Sequence, residues 1–188
     1  MSQAAASAEI AKRTISFSAG QNAVVIIDEN LTNLGAINPA FAAIPQFRQA
    51  TAEDLITLPA ASILPTGGGT ATPLSDTYVL TPEEQQEIAI ATTAYNASIS
   101  AIAASKGLAL VDLNAVLVEA TNTGITFDGY SLNTSLVFGG LVSLDGVHLT
   151  SRGYAYMANS FLRAIDDTYG SNFTTATNGL AKAGDYPT

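Results

Sequence analysis

The sequence predicts an α/β fold, and three observations carry that prediction. First, Thr81-Pro82-Glu83-Glu84 has the form of a capping box, with Thr81 at the N-cap, Pro82 at the first helical position and Glu84 reaching back. Ile88, Ala91, Tyr95, Ile99 and Ile102 then recur at 3-4-4-3 spacing, so a helix is predicted over 81–106. Second, LALVDL at 108–113 follows Gly107 and is apolar almost throughout. That pattern predicts a strand buried on both faces, as in a parallel sheet. Third, a last helix is predicted over 151–169. Thr150 is its N-cap, its stripe is Tyr154, Met157, Phe161 and Ile165, and Gly170 ends it.

The remaining elements follow in chain order. Residues 3–13 are Ala-rich and helix-compatible, while ISF at 15–17, AVVIID at 23–28 and DLITL at 54–58 read as strands. Residues 29–48 read as loop. Residues 59–77 form the longest irregular segment, and Gly67-Gly68-Gly69-Thr70 within it reads as a flexible loop. A phosphate loop would need a Lys and a strand-to-helix setting that this segment lacks. Asn114 is placed to cap a short helix through about Thr121. ITF-Asp128-Gly129-YSL predicts a two-residue hairpin over 125–132, and SLVFGGLVSL at 135–144 reads as two strand pieces around a Gly-Gly interruption. The chain is expected to form one domain over 1–188, with loosely ordered tails at 1–14 and 171–188.

Composition removes several function classes. The chain has 188 residues, no Cys, no Trp and one His. Of its 47% hydrophobic content, 32 residues are Ala, so the bulky fraction available for a core is smaller than that figure implies. A net charge of −9 provides no basic patch for nucleic acid or for an anionic membrane surface. Zero Cys excludes a thiolate nucleophile, and one His excludes a multi-histidine metal site. No stretch reads as the ~18 apolar residues of a membrane span, and the first residues lack the apolar core of a signal peptide. No transmembrane segment is expected.

One segment carries chemistry: Ser143-Leu-Asp145-Gly-Val-His148-Leu-Thr-Ser-Arg-Gly153-Tyr. The sole histidine follows an aspartate by three residues, in a loop that leads into a helix. A carboxylate beside imidazole accepts the Nδ1–H bond, fixes the tautomer and leaves Nε2 as a general base. Set against this, D-x-x-H is common by chance, and a lone loop histidine is usually only solvated.

The wider block, DGVHLTSRGYAYMAN, resembles the last conserved block of the SGNH/GDSL hydrolases, which are lipases and esterases. YVLTPEEQQEIAIATTAYNASISAIAASKGLALVDLNAVL is similar to the helix and strand that precede this block in a bacterial subgroup. FSAGQNAVVIIDE and RQATAEDLITLPA resemble an insertion of that subgroup. The resemblance spans roughly 15–185 and is most specific at 143–160. It implies a partial three-layer α/β/α, flavodoxin-like domain with a β-rich extension in its N-terminal part. It also implies that Asp145 and His148 are two members of a catalytic triad.

The family's Gly-Asp-Ser or Gly-Asn-Ser nucleophile block and its Gly-x-Asn-Asp block have no counterpart. The nearest imitation, Ile27 to Gly35, has Asn30 where the serine would stand. The chain is therefore expected to be the C-terminal part of a serine esterase or lipase, inactive alone. The alternative is a non-catalytic binding or assembly module derived from the same family. The implied substrate is an ester: a lipid, a short acyl ester or an acetylated sugar. The implied macromolecular partners are a second copy of the chain or the missing N-terminal half. No metal and no organic cofactor is implied. Relatives of this kind are exported, so the parent protein is expected in the periplasm, attached to the outer membrane or outside a bacterial cell.

Overall fold

The computed structural model describes residues 2–188, which divide into two compact units, one ending at Ala94 and the other Tyr95–Thr188. Helix accounts for 46% of the chain and strand for 12%. The strands form three separate two-stranded antiparallel ladders, so this is a mixed helix-and-strand protein without a continuous sheet among the described residues.

In the first unit, α1 (Gln3–Arg13) starts at Ser2, whose hydroxyl accepts from the Ala5 N–H. Arg13 pairs with Glu9 one turn back and donates to the Thr32 carbonyl at 2.6 Å, so the helix is tied down at its C-terminal end. The 15–17 segment predicted as strand forms no ladder. β1 (Val25–Ile27) pairs antiparallel with β2 (Phe47–Gln49), in the register Val25 to Gln49 and Ile27 to Phe47. α2 (Leu34–Ile37) is a single turn between them, capped by Asn33. β3 (Leu55–Ile56) pairs antiparallel with β4 (Val79–Leu80).

The glycine triplet is a built turn, not a flexible loop. The Gly69 N–H donates to the Thr72 carbonyl at 2.6 Å, and the Gly69 carbonyl accepts from the Val25 N–H at 2.7 Å. Gly69 has φ +78°, and a Cβ there would lie 2.6 Å from the Val24 side chain, so only glycine fits. The turn delivers Leu74 beside Ile26, and Ile26, Leu74 and Val79 form the small core of this unit.

α3 (Pro82–Lys106) has its predicted bounds. The Glu84 carboxylate accepts from the Thr81 N–H at 2.7 Å and from its hydroxyl at 2.8 Å. Gly107, at φ +61°, ends the helix. The stripe expected to face a core is exposed instead, with Ile88 at 53%, Tyr95 at 69% and Ile102 at 58%. In length and composition α3 could cross a bilayer, since its most apolar stretch has a mean hydropathy of 1.2.

The second unit corrects several expectations. Leu108–Asp112 is not a strand: no ladder includes it, Leu108 and Leu110 are about half exposed, and the Ala109 N–H is taken by the Tyr169 hydroxyl at 3.0 Å. A strand needs a neighbour for its backbone groups, and none lies beside it among the described residues. α4 (Leu113–Asn122) starts earlier than Asn114 would allow, because Asp112 caps it by accepting from the Ala115 N–H at 2.9 Å. Residues 135–144 form no strand pair. Ser135 to Gly139 closes as a turn, with Val137 at φ +74° and Gly140 at φ +71°.

The hairpin β5 (Ile125–Phe127) and β6 (Tyr130–Leu132) has the predicted register, Ile125 opposite Leu132. Asp128 and Gly129 both have positive φ, as a type I′ turn demands. α5 (Ser151–Tyr169) runs between the predicted caps. Of its expected stripe, Met157 is buried and Ile165 half-buried, but Tyr154 and Phe161 are half exposed, and the core face turns toward Ala155 and toward Tyr156, which packs edge-on against Phe127 at 5.5 Å. Ile125, Phe127, Leu132, Leu141 and Ala155 make the core of this unit. Residues 171–188 lie along α5. Buried Asn159 exchanges two 2.9 Å hydrogen bonds with the Ala181 backbone, and Arg152 donates to the Ala183 carbonyl at 2.9 Å.

Candidate functional site

The loop bearing His148 is set by its two ends. Val142 and Leu149 form an antiparallel bridge, and the Ser143 N–H donates to the His148 carbonyl at 2.8 Å. Gly146, at φ +72°, turns the chain between them. Below the loop, the Thr150 hydroxyl donates to the Gly140 carbonyl and caps α5 by accepting from the Gly153 N–H. A Cβ at Gly153 would sit 2.4 Å from the Leu141 carbonyl oxygen. Glycine is therefore what lets the helix start this close to the loop.

Asp145 organises the loop interior. Its Oδ1 accepts from the Ser143 hydroxyl at 2.7 Å and from the Val147 and His148 N–H groups at 2.9 Å each. Its Oδ2 lies 2.7 Å from His148 Nδ1. The Ser143 hydroxyl, the Val147 N–H and the imidazole hold the carboxyl well below the usual aspartate range, because each bonds the ionised form. The pair sits at the surface, with the side chains 70% exposed for His148 and 51% for Asp145. The two residues singled out in the sequence are thus in contact, and Nε2 is the ring nitrogen left for proton transfer.

Sequence reading missed Ser143, whose D-x-x-H neighbourhood was the available signal. Its hydroxyl is spent on Asp145 rather than on the imidazole, so it does not occupy the nucleophile's place in a triad. Asp166, near the C-terminal end of α5, is a second carboxylate of this kind: it accepts from the Phe173 and Thr174 N–H groups and from the Ser171 and Thr174 hydroxyls. Partial burial pushes that carboxyl up, but the four donors outweigh it and bring it down to about 2. Asp166 shows that a carboxylate can staple a loop here without any histidine.

A cleft of about 560 Å³ adjoins the loop, lined by Val142, Ser143, Leu144, Leu149 and Pro187 among others. A larger one, about 690 Å³, lies in the first unit beside Asp28 and Arg48. Those charges are already engaged: Arg48 donates to Asp28 at 2.5 Å and to both oxygens of Asp54 at 2.7 Å. No group of three metal-ligating side chains gathers among the described residues.

No family model matches the chain, and no curated protein or solved structure matches it.

Proposed function

We propose that the chain supplies the histidine and aspartate of an ester-hydrolysing site of the SGNH/GDSL type. The observation that carries this reading is the 2.7 Å contact between Asp145 Oδ2 and His148 Nδ1, on a loop stapled from within and anchored at a helix start. In that role Asp145 holds the tautomer, and His148 Nε2 takes the proton of an attacking serine. The imidazolium then returns it to the leaving alcohol. The serine and the oxyanion donors come from a polypeptide segment outside residues 1–188, so the chain alone turns over no ester.

The substrate is a lipid, a short acyl ester or an acetylated sugar, and the cleft beside Leu144 and Leu149 suits an apolar acyl group. The partial three-layer α/β/α fold and export from a bacterial cell belong to the same proposal. A second reading, a non-catalytic binding or assembly module of the same origin, is favoured by Asp166, where an equivalent carboxylate serves the loop alone.

The test is turnover of p-nitrophenyl butyrate by this chain, and by the chain joined to an upstream Gly-x-Ser segment. The joined protein should be active, and His148→Ala should lower its kcat by about 10³-fold or more. An active joined protein whose His148→Ala variant keeps the full rate would refute the assignment. An inactive joined protein that still binds acylated sugar or lipid would favour the module.

A further inference from the structure

A cleft of about 570 Å³ opens in the first unit, between α1 and the turns that follow Asn33. One wall is the α1 face with Ala6 and Ile10, and the other is Leu34, Ile37, Phe41 and Ile44. The bulky side chains of both walls stay open, with Ile10 at 69%, Ile37 at 55%, Phe41 at 45% and Ile44 at 42%. A clasp joins the walls at one end. Glu9 pairs with Arg13, the Thr32 hydroxyl donates to Glu9 at 2.9 Å, and Arg13 donates to the Thr32 carbonyl at 2.6 Å. The second wall folds tightly on itself, because a Cβ at Gly35 would lie 2.8 Å from the Ala42 Cα. Apolar space is thus left between two walls whose placement the clasp and the backbone packing set.

We propose that this cleft binds one unbranched alkyl chain with an uncharged head, such as a primary alcohol or a neutral ester. Small molecules bind in concave, mostly apolar clefts of ~300–1,000 Å³, and this one falls in that range. The polar side chains along it are already engaged. Glu9 and Arg13 hold each other and Thr32, and the Thr14 hydroxyl donates to the Ile10 carbonyl at 2.8 Å. What the cleft offers a ligand is therefore aliphatic and aromatic surface, and the ligand's polar end stays in water.

Helix geometry sets the length of the chain. Ala6, Ile10 and Thr14 follow one another at four-residue spacing along the lined face of α1 and its cap. That is about 12 Å of helix, which an extended chain of about ten carbons covers. Charge sets the head. Up to Ala94 the sequence has nine acids against three bases, so a carboxylate head is repelled and an uncharged one is not. Every residue lining the cleft belongs to the first unit, so the inference stands independently of the proposed hydrolase chemistry.

The absence of tryptophan makes the test clean, since Phe41→Trp gives a single reporter in the cleft. Its emission should change on titration with decanol, and calorimetry of the unsubstituted full chain should show the same binding with a negative heat-capacity change. From hexanol to decanol each added methylene should tighten binding about threefold to fourfold. Dodecanol should add little more, because its last carbons leave the cleft. Ile37→Asp and Ile44→Asp should each weaken decanol binding about tenfold or more, with unchanged far-UV circular dichroism. Ile90→Asp, an exposed change on α3, should leave it unaltered. Decanoate at pH 8 should bind about threefold more weakly than decanol, or weaker still. No heat and no emission change with decanol would overturn the proposal. So would an affinity that keeps rising through tetradecanol, decanoate binding as tightly as decanol, or an equal loss on Ile90→Asp. A dimer that decanol dissociates would overturn it too, by making a second copy of the chain the occupant.

Discussion

Replacing Arg48 with leucine tests the polar centre of the first unit. Arg48 lies between two aspartates, with its side chain 11% exposed against 6% for Asp28 and none for Asp54. Burial pushes Asp54 up, but the Arg48 guanidinium and the Thr51 donors outweigh it and hold the carboxyl below its ordinary value. In the native protein this carboxylate therefore adds stability above the ordinary aspartate range, and that stability is lost as pH falls through its lowered value. Arg48→Leu strands two carboxylates in a desolvated pocket, which costs about 3–5 kcal/mol. Without the cation, burial raises the Asp54 carboxyl, so the variant gains stability as pH falls. Urea unfolding, with amide exchange read at 25–27 and 47–49, should show the full deficit at pH 7 and a smaller one near pH 4.5. Adding Asp28→Asn and Asp54→Asn should recover most of it. A loss below about 1 kcal/mol at pH 7, or an equal deficit at both pH values, would refute the reasoning.

Other outcomes follow from the second unit. The Asp145 carboxyl should stay ionised at pH 3, as read by its ¹³Cγ shift. Its depressed value means that the loop keeps its Val147 and His148 amide protection through the ordinary aspartate range and loses it only in stronger acid. Gly153→Ala puts a methyl against the Leu141 carbonyl and should lower stability by about 1–3 kcal/mol in thermal unfolding. Asn159→Leu removes both bonds to Ala181, so it should cost about 1–3 kcal/mol and open Lys182 to trypsin. Unchanged digestion would show that residues 171–188 are held by other contacts.

Much of the candidate site was legible because its parts are near in sequence. An aspartate reaches the N–H groups two and three residues on without any tertiary help. That is why Asp145 and His148 meet as the D-x-x-H spacing suggests. The cap at Thr81, the cap at Thr150 and the Asp128-Gly129 turn are decided in the same way, within four residues. The partners of Arg48 were not legible, because Asp28 stands 20 residues away and no periodicity links them. Nor was the use of Ser143, since a hydroxyl two residues before an aspartate serves equally well in solvent.

The sequence by itself determined where α3 and α5 begin and end, where the chain reverses at Asp128-Gly129, and that the one imidazole sits against a carboxylate. Tertiary structure decided which apolar runs are buried. LALVDL has the composition of a central strand and α3 the stripe of a core helix, yet both stay open. Apolar side chains and strand backbone groups are satisfied only by another surface, and a run of residues cannot encode whether that surface is present.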